Sequence, residues 1–300
     1  MAARRPGPIG WLFIGAVLLG LVAVVSRPDG GGDGGGRKVA LWGDSLAWEA
    51  QGSFKAAVTA AGGTSLLVHT YGGTAPCDWL DDMRKQSRKW HPTVAVLSFS
   101  GNTGSRCMKN RDLVEAYRED VTKAVARLTR GGSHVLLVEA PPRLDQQVSD
   151  GGFTPLDQVW RDIAHDLPDT SVVPAGSEVT LPDGRFTWTL PCRPGEQCGP
   201  DGMVTVRSPD GVHFCPRQMA PVTPCPLPSA GADRYGRAMA AAAVAAIGPA
   251  PSPSGTPPAS AHRSTLGVPS RPVRVTRLRP APRRAGTRRG HRSARATADG

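Results

Sequence analysis

Lys38-Val39-Ala40-Leu41-Trp42-Gly43-Asp44-Ser45 passes from an apolar run through a glycine into two small polar residues. A short continuous apolar run bounded by a glycine reads as a strand buried on both faces. The residues from about Leu46 to Ala61 then read as a helix. Ser45 therefore stands where a strand hands over to a helix, a position that exposes its hydroxyl beside the free N–H groups of a first helical turn.

The same alternation continues outward from this stretch. Leu66-Leu67-Val68, Val94-Ala95-Val96-Leu97, Val135-Leu136-Leu137-Val138 and Ser171-Val172-Val173 read as further strands. Helices are expected from about Trp79 to Lys89, Asp112 to Arg130, Pro155 to Leu167 and Asp233 to Ile247. Buried strands alternating with helices predict an α/β domain with a parallel sheet covered on both faces. From Pro174 to Pro228 the chain is dense in Gly, Pro and Cys and reads as a long loop region. In such a sheet the functional groups gather at the carboxyl ends of the strands.

The two ends differ from this middle. Arg4 and Arg5 precede an uncharged, mostly apolar run from Ile9 to Val25, so residues 1–26 read as a transmembrane anchor or an export signal. No Ala-x-Ala site follows, and Val24-Val25-Ser26 is a poor substitute, which favours a retained single-pass anchor over a secreted product. Either way the positive charge before the run keeps that end cytoplasmic and places the rest outside. A Gly-rich linker occupies 27–36, the folded domain spans 37–248, and 249–300 form a Pro/Arg-rich tail expected to be disordered.

The net charge is +11, yet the tail holds eleven arginines against one acid, Asp299, leaving about +1 for everything else. A near-neutral body gives no sign of a nucleic-acid surface. The tail is either a solvated extension or an adhesive for anionic wall polymers or lipid headgroups.

Four short patterns carry candidate chemistry. Gly43-Asp44-Ser45 offers a nucleophile. Tyr71-Gly72-Gly73-Thr74 offers a glycine whose N–H can approach a substrate oxygen, and Gly101-Asn102 offers a side-chain amide donor. Asp210-Gly211-Val212-His213 places a carboxylate three residues from an imidazole, so Asp210 can orient His213 toward a serine. Singly, each is more often a helix cap, a turn or a solvated loop. Together and in this order they supply nucleophile, base, orienter and oxyanion donors.

On these residues the sequence resembles the SGNH (GDSL-like) hydrolase family from about Val39 to Ile247. The family's four named residues match Ser45, Gly72 or Gly73, Asn102 and His213, and its Asp matches Asp210; the family's Gly-x-Thr block favours Gly72. The chain departs in lacking an Asn before that glycine and in having Thr103 after Asn102. The resemblance implies a three-layer α/β/α sandwich with a flavodoxin-like sheet, and a serine esterase in which His213 takes the Ser45 proton. The oxyanion would rest on Ser45 N–H, Gly72 N–H and the Asn102 amide. Expected substrates are acyl, chiefly acetyl, esters of envelope glycans or lipids. O-acyl transfer onto an envelope polysaccharide by the same triad is the alternative, and a wall-binding module with a vestigial site is a second. The placement of Cys77 and Cys107 also resembles SGNH domains of actinobacterial envelopes.

Six cysteines behind an export signal read as disulfides. Sequence proximity pairs Cys77 with Cys107, Cys192 with Cys198, and Cys215 with Cys225. No Cys-x-x-Cys, Walker or dinucleotide pattern occurs, so neither metal nor cofactor is expected. Of the tryptophans, Trp79 and Trp188 lie in loops expected at the active edge and are candidates to touch a sugar ring.

Overall fold

The computed structural model describes residues 36–217 and 225–248. The anchor or signal segment, nearly all of the Gly-rich linker and the tail from 249 lie outside them. Among the described residues no helix is long and apolar enough to cross a membrane.

Five parallel strands form the central sheet: β1 (Arg37–Gly43), β2 (Thr64–Thr70), β3 (Val94–Ser98), β4 (His134–Val138) and β5 (Thr170–Val173), in spatial order β2-β1-β3-β4-β5. This is the flavodoxin-like order, whose switch point lies between the loops after β1 and β3. Helices α1 (Ser45–Ala60), α2 (Pro76–Lys89), α3 (Leu113–Arg130), α4 (Pro155–Asp166) and α5 (Ala230–Ile247) cover its faces.

The two-residue period of the strands builds the two cores. Val39 and Leu41 of β1, Val94 and Val96 of β3, and Leu136 and Val138 of β4 join one core with Phe54 of α1 and Met239 of α5. Their neighbours Ala40, Trp42, Ala95, Leu97, Val135 and Leu137 join the other, with Val121 and Val125 of α3 and Trp160 of α4. Strands apolar on both faces thus produce helix, sheet and helix layers, the sandwich expected from the sequence.

Two local expectations are corrected. The second helix starts at Pro76, earlier than Trp79, because proline is pre-organised for the first helical position and the Asp78 carboxylate accepts the Ala75 N–H at 2.8 Å. The region 174–228 is not all loop. A 3₁₀ turn at Ala175–Val179 precedes an antiparallel hairpin of β6 (Thr189–Pro191) and β7 (Met203–Thr205). Its three-residue strands are too short to show a period.

Candidate active site

The loops after β1, β2 and β3 meet the segment before α5 at the carboxyl edge of the sheet. Ser45 is the first residue of α1, and Asp44 caps the helix by accepting the Leu46 N–H at 3.1 Å. Gly43 is required by proximity: a Cβ there would lie 2.6 Å from the Ser98 carbonyl oxygen and would also strike Ala47. Only glycine lets β1 pass so close to the end of β3 while turning into the helix.

His213 reaches this serine across 168 residues of sequence. Its Nε2 lies 2.9 Å from Ser45 Oγ, and its Nδ1 lies 2.7 Å from Asp210 Oδ2. The other Asp210 oxygen accepts the N–H groups of Val212 and His213 at 2.8 and 2.9 Å. Partial burial works against the Asp210 charge, but these hydrogen bonds outweigh it and hold its carboxyl below the ordinary range. An ionised Asp210 can only accept, so Nδ1 carries the imidazole proton and Nε2 is left to accept from Ser45.

Several side chains that the sequence did not single out hold the turn carrying the histidine. Glu49, one turn along α1 from Ser45, accepts the Phe214 N–H at 2.7 Å. Arg207 is 1 % exposed and donates to the Val212 carbonyl at 2.7 Å, with its guanidinium between the rings of Phe186 and Phe214. Burial pushes that guanidinium down to about 10 against the pull of Asp210 and Glu49. Directly after Phe214, Cys215 is joined to Cys225.

The side of the site that holds Asn102 is built around a carboxylate. Asp44 is fully buried, and its Oδ2 accepts from Ser100 N–H at 2.6 Å, Ser100 Oγ at 2.7 Å and Asn102 Nδ2 at 3.1 Å. Burial pushes its carboxyl above the ordinary range, opposed by the hydrogen bonds from Ser100 and Leu46 and by the nearby Arg143. Asn102 Nδ2 also donates to the Thr74 carbonyl at 3.1 Å, so both amide hydrogens are engaged in this state. One must be shared or released for Asn102 to serve a developing oxyanion. Arg143, after β4, donates to the carbonyls of Ser100 and Gly101 at 3.2 and 2.8 Å and fixes the loop ahead of Asn102.

Tyr71 N–H donates to the Gly43 carbonyl at 3.2 Å, which sets Gly72 beside the turn that carries Ser45. Gly73 has φ 76°, a left-handed conformation that accounts for a glycine there by backbone alone. Gly72 is therefore the glycine left for close approach to a ligand. The Cys77–Cys107 disulfide ties the first turn of α2 to the 3₁₀ turn at Arg106–Met108, bracing the Thr74 and Asn102 loops against each other.

The remaining cysteines pair as Cys192–Cys198. Trp79 spends its indole N–H on Thr74 Oγ1 at 3.1 Å, and Trp188 is an exposed ring set edge-on to Phe186. Among the described residues one grouping has metal-ligand proximity, Cys77, Asp78 and Cys107, but its sulfurs are joined in a disulfide and offer no thiolate.

A family model described as "Protein of unknown function (DUF459)" matches residues 38–219. No curated protein matches the chain. Among solved structures, a GDSL-like lipase from Bacteroides thetaiotaomicron is similar at 10 % identity and TM-score 0.45, with 70 % of this chain and 88 % of that one covered. The C-terminal catalytic domain of peptidoglycan O-acetyltransferase A from Streptococcus pneumoniae is similar at 18 % identity and TM-score 0.42, covering 70 % and 94 %. An acetyl xylan esterase is similar at 16 % identity and TM-score 0.45, covering 68 % and 98 %. At such values the likenesses leave substrate and acceptor open, and the geometry of the site bears the reading.

Proposed function

The chain belongs to the DUF459 family, and we propose that it is an extracytoplasmic serine esterase of the SGNH type acting on acyl, chiefly acetyl, esters of envelope glycans or lipids. One observation carries this reading: Ser45 Oγ, His213 Nε2, His213 Nδ1 and Asp210 Oδ2 form a chain with steps of 2.9 and 2.7 Å. That is a nucleophile within reach of its base, with the base oriented by a third group.

His213 Nε2 accepts the Ser45 proton as Oγ bonds to the ester carbonyl carbon, and Asp210 stabilises the imidazolium that forms. The carbonyl oxygen takes up negative charge near the Ser45 N–H, the Gly72 N–H and the Asn102 amide, each such donor being worth roughly 10²–10³ in rate. The C–O bond to the alcohol breaks as His213 returns the proton to the leaving oxygen. Water, deprotonated by His213, then attacks the acyl-serine, releases the carboxylic acid and restores Ser45. A sugar hydroxyl in place of water converts hydrolysis into O-acyl transfer with the same residues.

Three disulfides support an oxidising compartment and hence a site outside the cytoplasm. The test is covalent labelling by a fluorophosphonate, read by mass spectrometry, together with acetate release from p-nitrophenyl acetate and from O-acetylated xylo-oligosaccharide. Modification at Ser45, lost in Ser45→Ala, is the expected result. An unmodified Ser45 in folded protein with no acetate release would sink the esterase reading. Acetyl appearing on a supplied oligosaccharide, with little free acetate, would select the transferase.

A further inference from the structure

Two aromatic rings stand beside the nucleophile on its β2 side. Trp48 is three residues after Ser45 on α1, so the two side chains share a helix face. A helical side chain leans toward the N-terminus and covers the turn before its own Cα, which lays the indole over the turn carrying Ser45. Tyr71 comes from the opposite direction. It follows β2, its N–H is held by the Gly43 carbonyl at 3.2 Å, and it directly precedes Gly72. The rings lie 25° from parallel with centroids 6.2 Å apart, and Tyr71 remains 53 % exposed. Single exposed aromatics are ordinary on a protein surface. A near-parallel pair beside a nucleophile, one ring carried by α1 and the other by the end of β2, is a shaped surface.

The openness of that surface decides what fits it. An acyl chain gains only where water is removed from all around its methylenes. A pyranose ring has one face of C–H groups and a rim of hydroxyls, so it gains by lying flat on an aromatic face while its edge stays in water. Tyrosine and tryptophan, with an apolar body and a polar tip, suit such half-wet contacts.

We propose that Trp48 and Tyr71 form a sugar-stacking subsite that holds a pyranose ring of an O-acylated glycan with its ester over Ser45. This inference rests on Ser45 being the nucleophile, and it selects glycan over lipid among the substrates of that reading. It also moves the sugar contact away from Trp79, whose indole N–H braces the Thr74 loop, and away from Trp188 on the approach to β6.

The experiment compares three esters on the full chain: O-acetylated xylotetraose, p-nitrophenyl acetate and p-nitrophenyl octanoate. Tyr71→Ala and Trp48→Leu are each expected to lower kcat/KM for the acetylated oligosaccharide about three- to tenfold more than for p-nitrophenyl acetate, mainly through KM. Tyr71→Phe, which keeps the face and removes the hydroxyl, should restore the wild-type ratio. Equal losses on all three esters would make the rings structural and overturn the subsite. A selective loss on the octanoate ester would make them an acyl-chain shelf and overturn it as well.

Binding of xylotetraose and chitotetraose to Ser45→Ala, followed by the indole resonance of Trp48, reads the subsite without turnover. Binding that Tyr71→Ala weakens at least threefold supports the subsite even if no ester is turned over, in which case the esterase reading falls alone. An active esterase that binds neither oligosaccharide overturns the subsite alone.

Discussion

The amide of Asn102 is held by the carboxylate of Asp44, with Nδ2 donating to Oδ2 at 3.1 Å, while the other oxygen of Asp44 caps the helix that begins with Ser45. One buried side chain thus sets both the helix that begins with Ser45 and the amide of Asn102. Burial drives the Asp44 carboxyl upward, so keeping it charged costs stability at neutral pH, a cost that Ser100 and Arg143 reduce. Costly buried charge at a functional edge is retained where it positions something.

Asp44→Asn should therefore impair catalysis more than folding. The amide still accepts from Leu46 or Ser100 but places an N–H where Asn102 and Ser100 need an acceptor. The expected outcome is a kcat lower by roughly 10–10²-fold, up to the worth of one oxyanion donor. Steady-state kinetics on p-nitrophenyl acetate, set beside thermal unfolding, measures both sides. Wild-type turnover in this variant would show that Asn102 needs no such holder.

Asp210→Asn tests the orientation of the imidazole. An Asn at 210 can donate toward Nδ1, which moves the ring proton to Nε2 and removes the acceptor that Ser45 uses at 2.9 Å. A loss of roughly 10³–10⁴ in kcat is expected by analogy with other serine triads, with the unfolding midpoint shifted little because Asp210 sits at a partly exposed turn. Ser45→Ala and His213→Ala should each remove nearly all turnover, and combining them should add little.

How much of this could be read in the chain depended on the range of the contact. The apolar runs of β1, β3 and β4 report burial on both faces residue by residue, so the layers follow from local pattern. The proline-initiated start of α2 and the three-residue strands of β6 and β7 did not, because each is too short for a repeat to show. Ser45, Asp210 and His213 were reachable through the order of the four short patterns, the Asp210-x-x-His213 spacing and the resemblance they carry. Ser45 and His213 are 168 residues apart, and nothing local to either one indicates the other. The roles of Asp44 toward Asn102 and of Glu49 toward Phe214 span 58 and 165 residues and had no such pattern. Nothing local in the sequence marks Arg207 as buried; the packed Phe186 and Phe214 rings do.

The disulfides separate stability from function. Cys77–Cys107 closes 30 residues and joins the Thr74 and Asn102 loops, whereas Cys192–Cys198 closes 6 and joins neither. Chain entropy assigns about 3.6 kcal/mol to the first and about 2.2 kcal/mol to the second. Replacing both cysteines of the first pair by serine should lower the denaturant midpoint further and also reduce kcat. The same change in the second pair should lower the midpoint less and leave kcat unaltered. Equal loss of turnover in both would show that the bracing of Thr74 against Asn102 is not what the first bridge supplies.

Asp157 gives a pH dependence of stability. It lies in the first turn of α4, where its Oδ2 accepts from Thr154 N–H and Oγ at 2.8 Å each, while its Oδ1 is buried without a partner among the described residues. Burial pushes its carboxyl up to about 6, with the charge of Glu139 adding to the rise and the Thr154 hydrogen bonds opposing it. In the unfolded chain the same group titrates near 3.8. Between those two values the folded state binds more proton, so this group's contribution is fully present below the unfolded value and is lost as pH rises through 6. The difference is on the order of 2–3 kcal/mol. Asp157→Asn keeps an acceptor for Thr154 and cannot ionise. Its melting temperature should exceed that of the wild type at pH 7.5, and the gap should close by about pH 3.5. A gap of the same size and sign at both pH values would mean that shape, not charge, sets the cost at this position.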